Sequence, residues 1–171
     1  MNPIGVFDSG VGGLSVLAAL RAELPHENFV YFADTAYAPY GERGDAYVIE
    51  RSRAVVEHLR REHGIKALVV ACNTATTAAI HLMRAEHPDL PIVGLEPGLK
   101  PAVAASRTGH ISVMATRGTL ASAKYAALRA SFAGSAEVRP VPCDGLVKAI
   151  EGFDAAGIAA LRSEERRVGK E

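Results

Sequence analysis

The stretch from Ile65 to Ala79, IKALVVACNTATTAA, constrains the fold more than any other part of the chain. Ala67 to Ala71 is a short, almost continuous apolar run with two valines, the pattern of a strand buried on both faces of a parallel sheet. Cys72 ends that run. Asn73 and Thr74 follow, and both are residue types that cap helix N-termini. Ala75, Ala78, Ala79, Ile80 and Leu82 continue as a helix. The order strand, cysteine, polar turn, helix sets Cys72 at the carboxyl end of a strand and beside a helix N-terminus. Open α/β sheets bind ligands at that edge. Free N–H groups at a helix start also favour a thiolate, so a lowered thiol pKa is expected at Cys72.

The same alternation runs along the chain. Ile4 to Phe7 reads as a strand, followed by Asp8-Ser9, a glycine turn over Gly10 to Gly13, and a helix from Leu14 to Leu24 stopped by Pro25. Leu17, Leu20 and Leu24 give that helix its apolar spacing. Phe29 to Ala33 reads as a second strand, and the loop DTAYAPYGERG follows it. A helix is expected over Asp45 to His63, with Val48, Ser52, Val55, Val56 and Leu59 on its inner face and Gly64 closing it. Strands at Ile92 to Leu95, His110 to Ala115 and Val138 to Val141 come next. They are interleaved with helices at Lys100 to Ser106, Leu120 to Phe132 and Leu146 to Glu151. Pro140 and Pro142 mark the last strand as an edge. The fold class is α/β: a mostly parallel sheet with flanking helices.

The plan of Ile111 to Thr119 repeats that of Ile4 to Gly12: strand, short polar side chain, glycine turn, helix. A first α/β domain is therefore expected over residues 1–95, and part of a second, similar one over 96–161. Residues 162–171, RSEERRVGKE, carry seven charges in ten positions and offer no strand where the alternation calls for one. They read as a solvated or foreign tail, and the chain reads as truncated at its C-terminal side.

Composition narrows the function. Nineteen basic and nineteen acidic residues give zero formal net charge, and no basic stripe interleaves with aromatics, so nucleic acid is not an expected partner. No apolar run approaches the roughly 18 residues of a membrane span. Two cysteines in 171 residues fit free thiols in a reducing cytoplasm. The histidines are scattered without H-x-H or HExxH spacing, so no metal cage is expected. The glycine turn lacks the spacing of a dinucleotide fingerprint and of a P-loop, so no large cofactor is expected either.

Three polar segments each follow a predicted strand: Asp8-Ser9, Tyr40-Gly41, and Cys72-Asn73-Thr74. Alone, each has a plain reading as a cap, a turn or an inert buried cysteine. In a parallel sheet they share one edge and can surround one small ligand. Short hydroxyls, amides and backbone N–H groups suit a carboxylate and an ammonium.

The segments DSGVGGLSVL, DTAYAPYG, VVACNTATT and GLEPGLKPA, in that order, resemble those of glutamate racemases within the aspartate/glutamate racemase group. The resemblance spans about Ile4 to Glu151. It implies two similar α/β domains and cofactor-independent interconversion of L- and D-glutamate, supplying D-glutamate for peptidoglycan. It implies that a cysteine on each face of the substrate Cα exchanges its proton. Cys72 is then the catalytic residue of one face, and Asp8, Ser9, Tyr40, Gly41, Asn73 and Thr74 hold the substrate. A homodimer is compatible with this reading. In the family the second cysteine stands in a Cys-Thr-His motif, which this chain lacks. Cys143, in VPCDGLVKAIE, is not assigned as the partner, so this chain alone is expected to be inactive. Racemisation of aspartate or another amino acid is the nearest alternative. A cysteine hydrolase or amidase using Cys72 is the more distant one, and it requires a histidine base that His81, nine residues along the helix, is badly placed to supply.

Overall fold

The computed structural model describes residues 2–168, with side chains to residue 161. The chain divides into two compact units, Met1–Glu96 and Pro97–Glu171.

The first unit is built on four parallel strands: β1 (Ile4–Asp8), β2 (Phe29–Ala33), β3 (Ala67–Val70) and β4 (Ile92–Gly94). Their order across the sheet is β2-β1-β3-β4. The chain first steps from β1 to β2 on one side, then returns over β1 to lay β3 on the other. The sheet therefore has its topological switch point between β1 and β3, where open α/β sheets leave a crevice at the carboxyl ends of the strands. Three helices connect the strands: α1 (Leu14–Glu23), α2 (Asp45–His63) and α3 (Asn73–Glu86). Right-handed crossovers put α1 on one face and α2 with α3 on the other, and α2 and α3 pack against each other.

The core of this unit follows the helical periodicity of α2. Val48, Ser52, Val55, Val56 and Leu59 are its buried residues, the set expected from the sequence. They meet Ala75, Thr76, Ala79, Ile80 and Met83 of α3 together with Leu68 and Val70 of β3. Each large aliphatic side chain so buried contributes roughly 1.5–3 kcal/mol relative to exposure. Gly64 closes α2 in the left-handed conformation at φ 55°, donating its N–H to the Arg60 carbonyl. By contrast no residue of α1 is fully buried, and Leu24 of its expected apolar face is exposed.

Two details differ from expectation. The polar turn after β3 is shorter than the sequence implies: extended backbone persists through Cys72, and Cys72 itself is the N-cap of α3. Asn73 and Thr74 are the first two helical residues instead of caps. The loop after β2 is not irregular throughout, because Thr35–Tyr37 and Tyr40–Glu42 each form a 3-10 turn.

The second unit contains α4 (Leu99–Ala105), β5 (His110–Ala115), α5 (Arg117–Ala121), α6 (Ala123–Ala130), β6 (Glu137–Pro142), α7 (Leu146–Glu151) and α8 (Ala155–Val168). β5 and β6 pair in parallel from His110↔Glu137 to Ala115↔Pro142. Among the described residues β6 pairs on one side only, which accommodates prolines that cannot donate to a ladder. The helix expected over Leu120 to Phe132 is broken. Ser122 adopts extended backbone at ψ 146°, and its Oγ accepts from the Tyr125 N–H at 3.0 Å. A serine that ends one helix and caps the next makes two helices of one periodic run. Helical backbone reaches Val168 in the charged segment 162–171; side chains from residue 162 onward, and residues 169–171 altogether, lie outside the described residues.

Candidate active site

The site is assembled at the carboxyl ends of β2, β1 and β3. Their register sets Phe7 of β1 beside both Phe32 and Val70, so the segments leaving the three strands start at one level. The pairing extends past the strand ends: the Asp34 N–H donates to the Asp8 carbonyl at 3.0 Å, and the Ala71 N–H to the Phe7 carbonyl at 2.7 Å.

Asp8 ends β1 and is 7% exposed. Its Oδ2 accepts from the Gly13 N–H at 2.8 Å, so the carboxylate sits where α1 begins and its partial positive charge is felt. Gly13 permits this closure. A Cβ there would lie 2.8 Å from Asp8 Cβ and 3.0 Å from both Ala71 Cβ and Tyr31 Oη. Tyr31 in β2 holds the other end of the turn, its hydroxyl donating to the Gly10 carbonyl at 2.8 Å. The turn thus wraps the main chain around a carboxylate, and Gly13 is the glycine that this close approach requires.

Cys72 is 6% exposed and is not in a disulfide. Its Sγ lies 3.5 Å from Ser9 Oγ and accepts from the Ala75 N–H at 3.4 Å. Both contacts favour the thiolate. They are outweighed: burial first, and then the negative charge of Asp8, push the Cys72 thiol up from its ordinary value. The lowered pKa expected from the helix start is therefore not found. The helix N-terminus is present, but the sulfur is too deep, and too close to a carboxylate, for it to dominate.

Tyr40 opens the second 3-10 turn and is 1% exposed. Its ring packs edge-on against Phe7 of β1, with centroids 6.2 Å apart. Its hydroxyl donates to Asp34 Oδ2 at 2.5 Å, and burial followed by that bond raises the phenol's pKa strongly. The side chain of Tyr40 is thus committed inward. What its turn can offer outward is backbone, since the first amides of such a turn have no acceptor inside it. Gly41 is half-buried, as are Ser9 and Thr74, while Asn73 is exposed.

The structure therefore gathers Asp8, Ser9, Cys72, Asn73 and Thr74 around the β1/β3 junction and brings the Tyr40-Gly41 turn against α3. Two participants were not anticipated. Asp34 and Arg51 form an ion pair behind Tyr40. Their only sequence signal is an acid at a strand end and an arginine interrupting the inner half of a helix face. Cys143 lies in the second unit after β6, buried, its thiol donating to the Val141 carbonyl at 3.4 Å. Among the described residues no group of three or more histidine, cysteine, aspartate or glutamate side chains is placed to hold a metal ion. Among the described residues no helix is long and apolar enough to cross a membrane.

Comparison with known proteins gives the family. Residues 13–170 match the family model described as Asp/Glu/Hydantoin racemase. The chain is 50% identical over 167 residues to a glutamate racemase of Pseudomonas paraeruginosa, covering 98% of this chain and 63% of the relative. It is 55% identical to one from Ectopseudomonas mendocina, over 87% of this chain and 56% of the relative. Among solved structures, a glutamate racemase isoform from Bacillus anthracis superposes with a TM-score of 0.83 at 32% identity, covering 99% of this chain and 65% of that one. The Escherichia coli glutamate racemase, solved with L-glutamate and an activator, gives 0.80 at 36% identity over 86% of this chain and 56% of that one. The chain belongs to the Asp/Glu/Hydantoin racemase family. It spans between about half and two thirds of the length of these relatives.

Proposed function

We propose that this chain forms one face of a glutamate racemase active site, with Cys72 as the acid/base group on that face. The observation that carries the proposal is the placement of a buried thiol 3.5 Å from Ser9 Oγ at the switch point of a parallel sheet, with the Asp8 carboxylate close enough to shift it. The names of the relatives support glutamate as the substrate.

In this reading the substrate ammonium sits by Asp8 and Ser9, and its carboxylates meet backbone N–H groups of the Tyr40-Gly41 turn and the polar groups of Asn73 and Thr74. The thiolate of Cys72 takes the α-proton from Cα, forming the S–H bond as the C–H bond breaks, and a second thiol gives a proton to the opposite face. In the reverse direction Cys72 is the donor. No cofactor enters. The raised thiol pKa has a use here. Without substrate Cys72 is held as the thiol. An ammonium beside Asp8 offsets the second of the two causes that disfavour the thiolate, so bound amino acid eases ionisation of Cys72 while burial, the larger cause, still opposes it. Removing the α-proton is hard, and most of the required stabilisation must come from fixed dipoles aimed at the developing carbanion in a site closed to water.

Cys143 is not assigned as the second thiol, and this chain by itself is proposed to be inactive, part of a longer racemase that supplies D-glutamate for peptidoglycan. Two free thiols fit a cytoplasmic setting. A hydrolase reading gains no support: among the described residues the hydrogen-bond partners of Cys72 Sγ are Ser9 and the Ala75 N–H, and His81 is exposed on α3.

The test is turnover of L-glutamate, D-glutamate and aspartate, followed by circular dichroism, by the product of the complete reading frame. Inversion of glutamate with much slower turnover of aspartate is expected. Preference for aspartate would move the protein to the neighbouring specificity. Appreciable D-glutamate formation by the 171-residue chain alone would instead point to Cys143.

A further inference from the structure

We infer that Arg51, acting through Asp34, is a positioning residue that fixes the Tyr40-Gly41 turn at the substrate site. The inference rests on the racemase reading for its consequence, but not for its geometry.

Asp34 is 4% exposed and stands at the end of β2, where the loop to α2 begins. Three donors converge on its carboxylate. Arg51 Nη2 reaches Oδ1 at 2.9 Å, Arg51 Nε reaches Oδ2 at 3.0 Å, and the Tyr40 hydroxyl reaches Oδ2 at 2.5 Å. The two arginine bonds form a planar fork, which lysine cannot reproduce. The same guanidinium lies over the Tyr37 ring, 3.4 Å from its centroid. Tyr47, one turn earlier on α2, donates its hydroxyl to the Tyr37 carbonyl at 3.1 Å and sets its ring edge-on to Tyr40. The loop is thus pinned to α2 at both of its 3-10 turns, and Arg51 touches both pins.

A structural ion pair would need only a partner for a buried acid. This pair does more, because the aspartate is shared with the one side chain that aims the Tyr40-Gly41 backbone. With the phenol held inward, the orientation of the Tyr40 and Gly41 amides follows from where Asp34 is, and Arg51 fixes Asp34 from a rigid helix. The Tyr40 ring is also packed against Phe7 and Tyr47, but the backbone bonds within the turn, Tyr37 N–H to Asp34, Ala38 N–H to Thr35 and Arg43 N–H to Tyr40, are all local, which leaves the Asp34 carboxylate as the polar group that ties Tyr40 to α2.

The test compares wild type with Arg51→Lys, which keeps charge, and Arg51→Met, which keeps bulk. Hydrogen–deuterium exchange of the segment 35–43 is expected to speed up by about tenfold or more in Arg51→Met and less in Arg51→Lys, with α2, α3 and the strands unchanged. In the product of the complete reading frame the KM for glutamate should rise about tenfold while kcat changes by less than about threefold, since backbone donors to a non-reacting carboxylate bind ground and transition states alike. Loop exchange equal to wild type in both variants would overturn the inference. So would a lowered melting temperature with KM and kcat of the folded enzyme unchanged, the signature of a merely structural pair. If the wild type does not turn over glutamate, the racemase reading fails, and the loop exchange still decides whether Arg51 anchors the turn.

Discussion

Ser9 Oγ and Cys72 Sγ lie 3.5 Å apart, joining the first residue after β1 to the residue that caps α3. Sixty-three positions of sequence separate them, and the parallel pairing of β1 with β3 closes that distance. The thiol is thereby placed between two opposing influences, a hydroxyl that favours its ionised form and the Asp8 carboxylate that disfavours it.

Removing each influence should move the thiol in opposite directions. Ser9→Ala deletes a hydrogen bond to the thiolate and should raise the Cys72 pKa further. A bond worth about 1 kcal/mol slows iodoacetamide alkylation near neutral pH by roughly fivefold. Asp8→Asn removes the like charge and should speed alkylation, while weakening the acceptor for the Gly13 N–H. Rate–pH profiles of the two variants bracketing the wild type would confirm the arrangement; shifts in the same direction would refute it.

Alkaline stability follows from the same burial. Cys72 and Tyr40 both have folded-state pKa values above their unfolded ones. Each then binds its proton more tightly in the folded state, so its contribution is fully present below the unfolded pKa and is lost as pH rises through the folded pKa. Urea denaturation midpoints of the chain should therefore fall above about pH 8.5, where the unfolded thiol ionises, and again above about pH 10 for the phenol. Cys72→Ala should reduce the first decline and leave the second.

Gly13→Ala tests the closure around Asp8. The added methyl group meets Asp8 Cβ at 2.8 Å and Ala71 Cβ at 3.0 Å, and neither the end of β1 that carries Asp8 nor Ala71, held directly after β3, can retreat cheaply. A loss of about 1–3 kcal/mol in the unfolding free energy is expected, the usual cost of overpacking, read from denaturant titration.

Much of this architecture is written locally. Apolar runs punctuated by Asp-Ser, by the loop that starts at Asp34 and by Cys-Asn-Thr define strands and strand ends, and the α2 face from Val48 to Leu59 follows helical spacing. The polar segments gather because parallel pairing leaves them no other edge. The parts that escape are those decided by depth and by distant partners. Cys72 beside a helix start reads as an activated thiol, but its burial and the approach of Asp8 come from packing β3 beside β1. Tyr40 reads as an outward ligand, yet its phenol turns to an aspartate six residues earlier, which an arginine seventeen residues beyond Asp34 holds in place. No periodicity relates those three. Ser122 splits a helix that is continuous by apolar spacing, because its hydroxyl caps a new helix start and apolar periodicity carries no record of that.

If Cys72 moves the α-proton of glutamate, proton NMR of glutamate in D₂O reads that step without requiring the product to be isolated. With the product of the complete reading frame, the Cα–H signal of either enantiomer should disappear with time, and Cys72→Ala, folded by circular dichroism, should slow that loss by at least about a thousandfold. A Cα–H signal that persists with the wild type, or that decays equally fast with Cys72→Ala, would contradict the account.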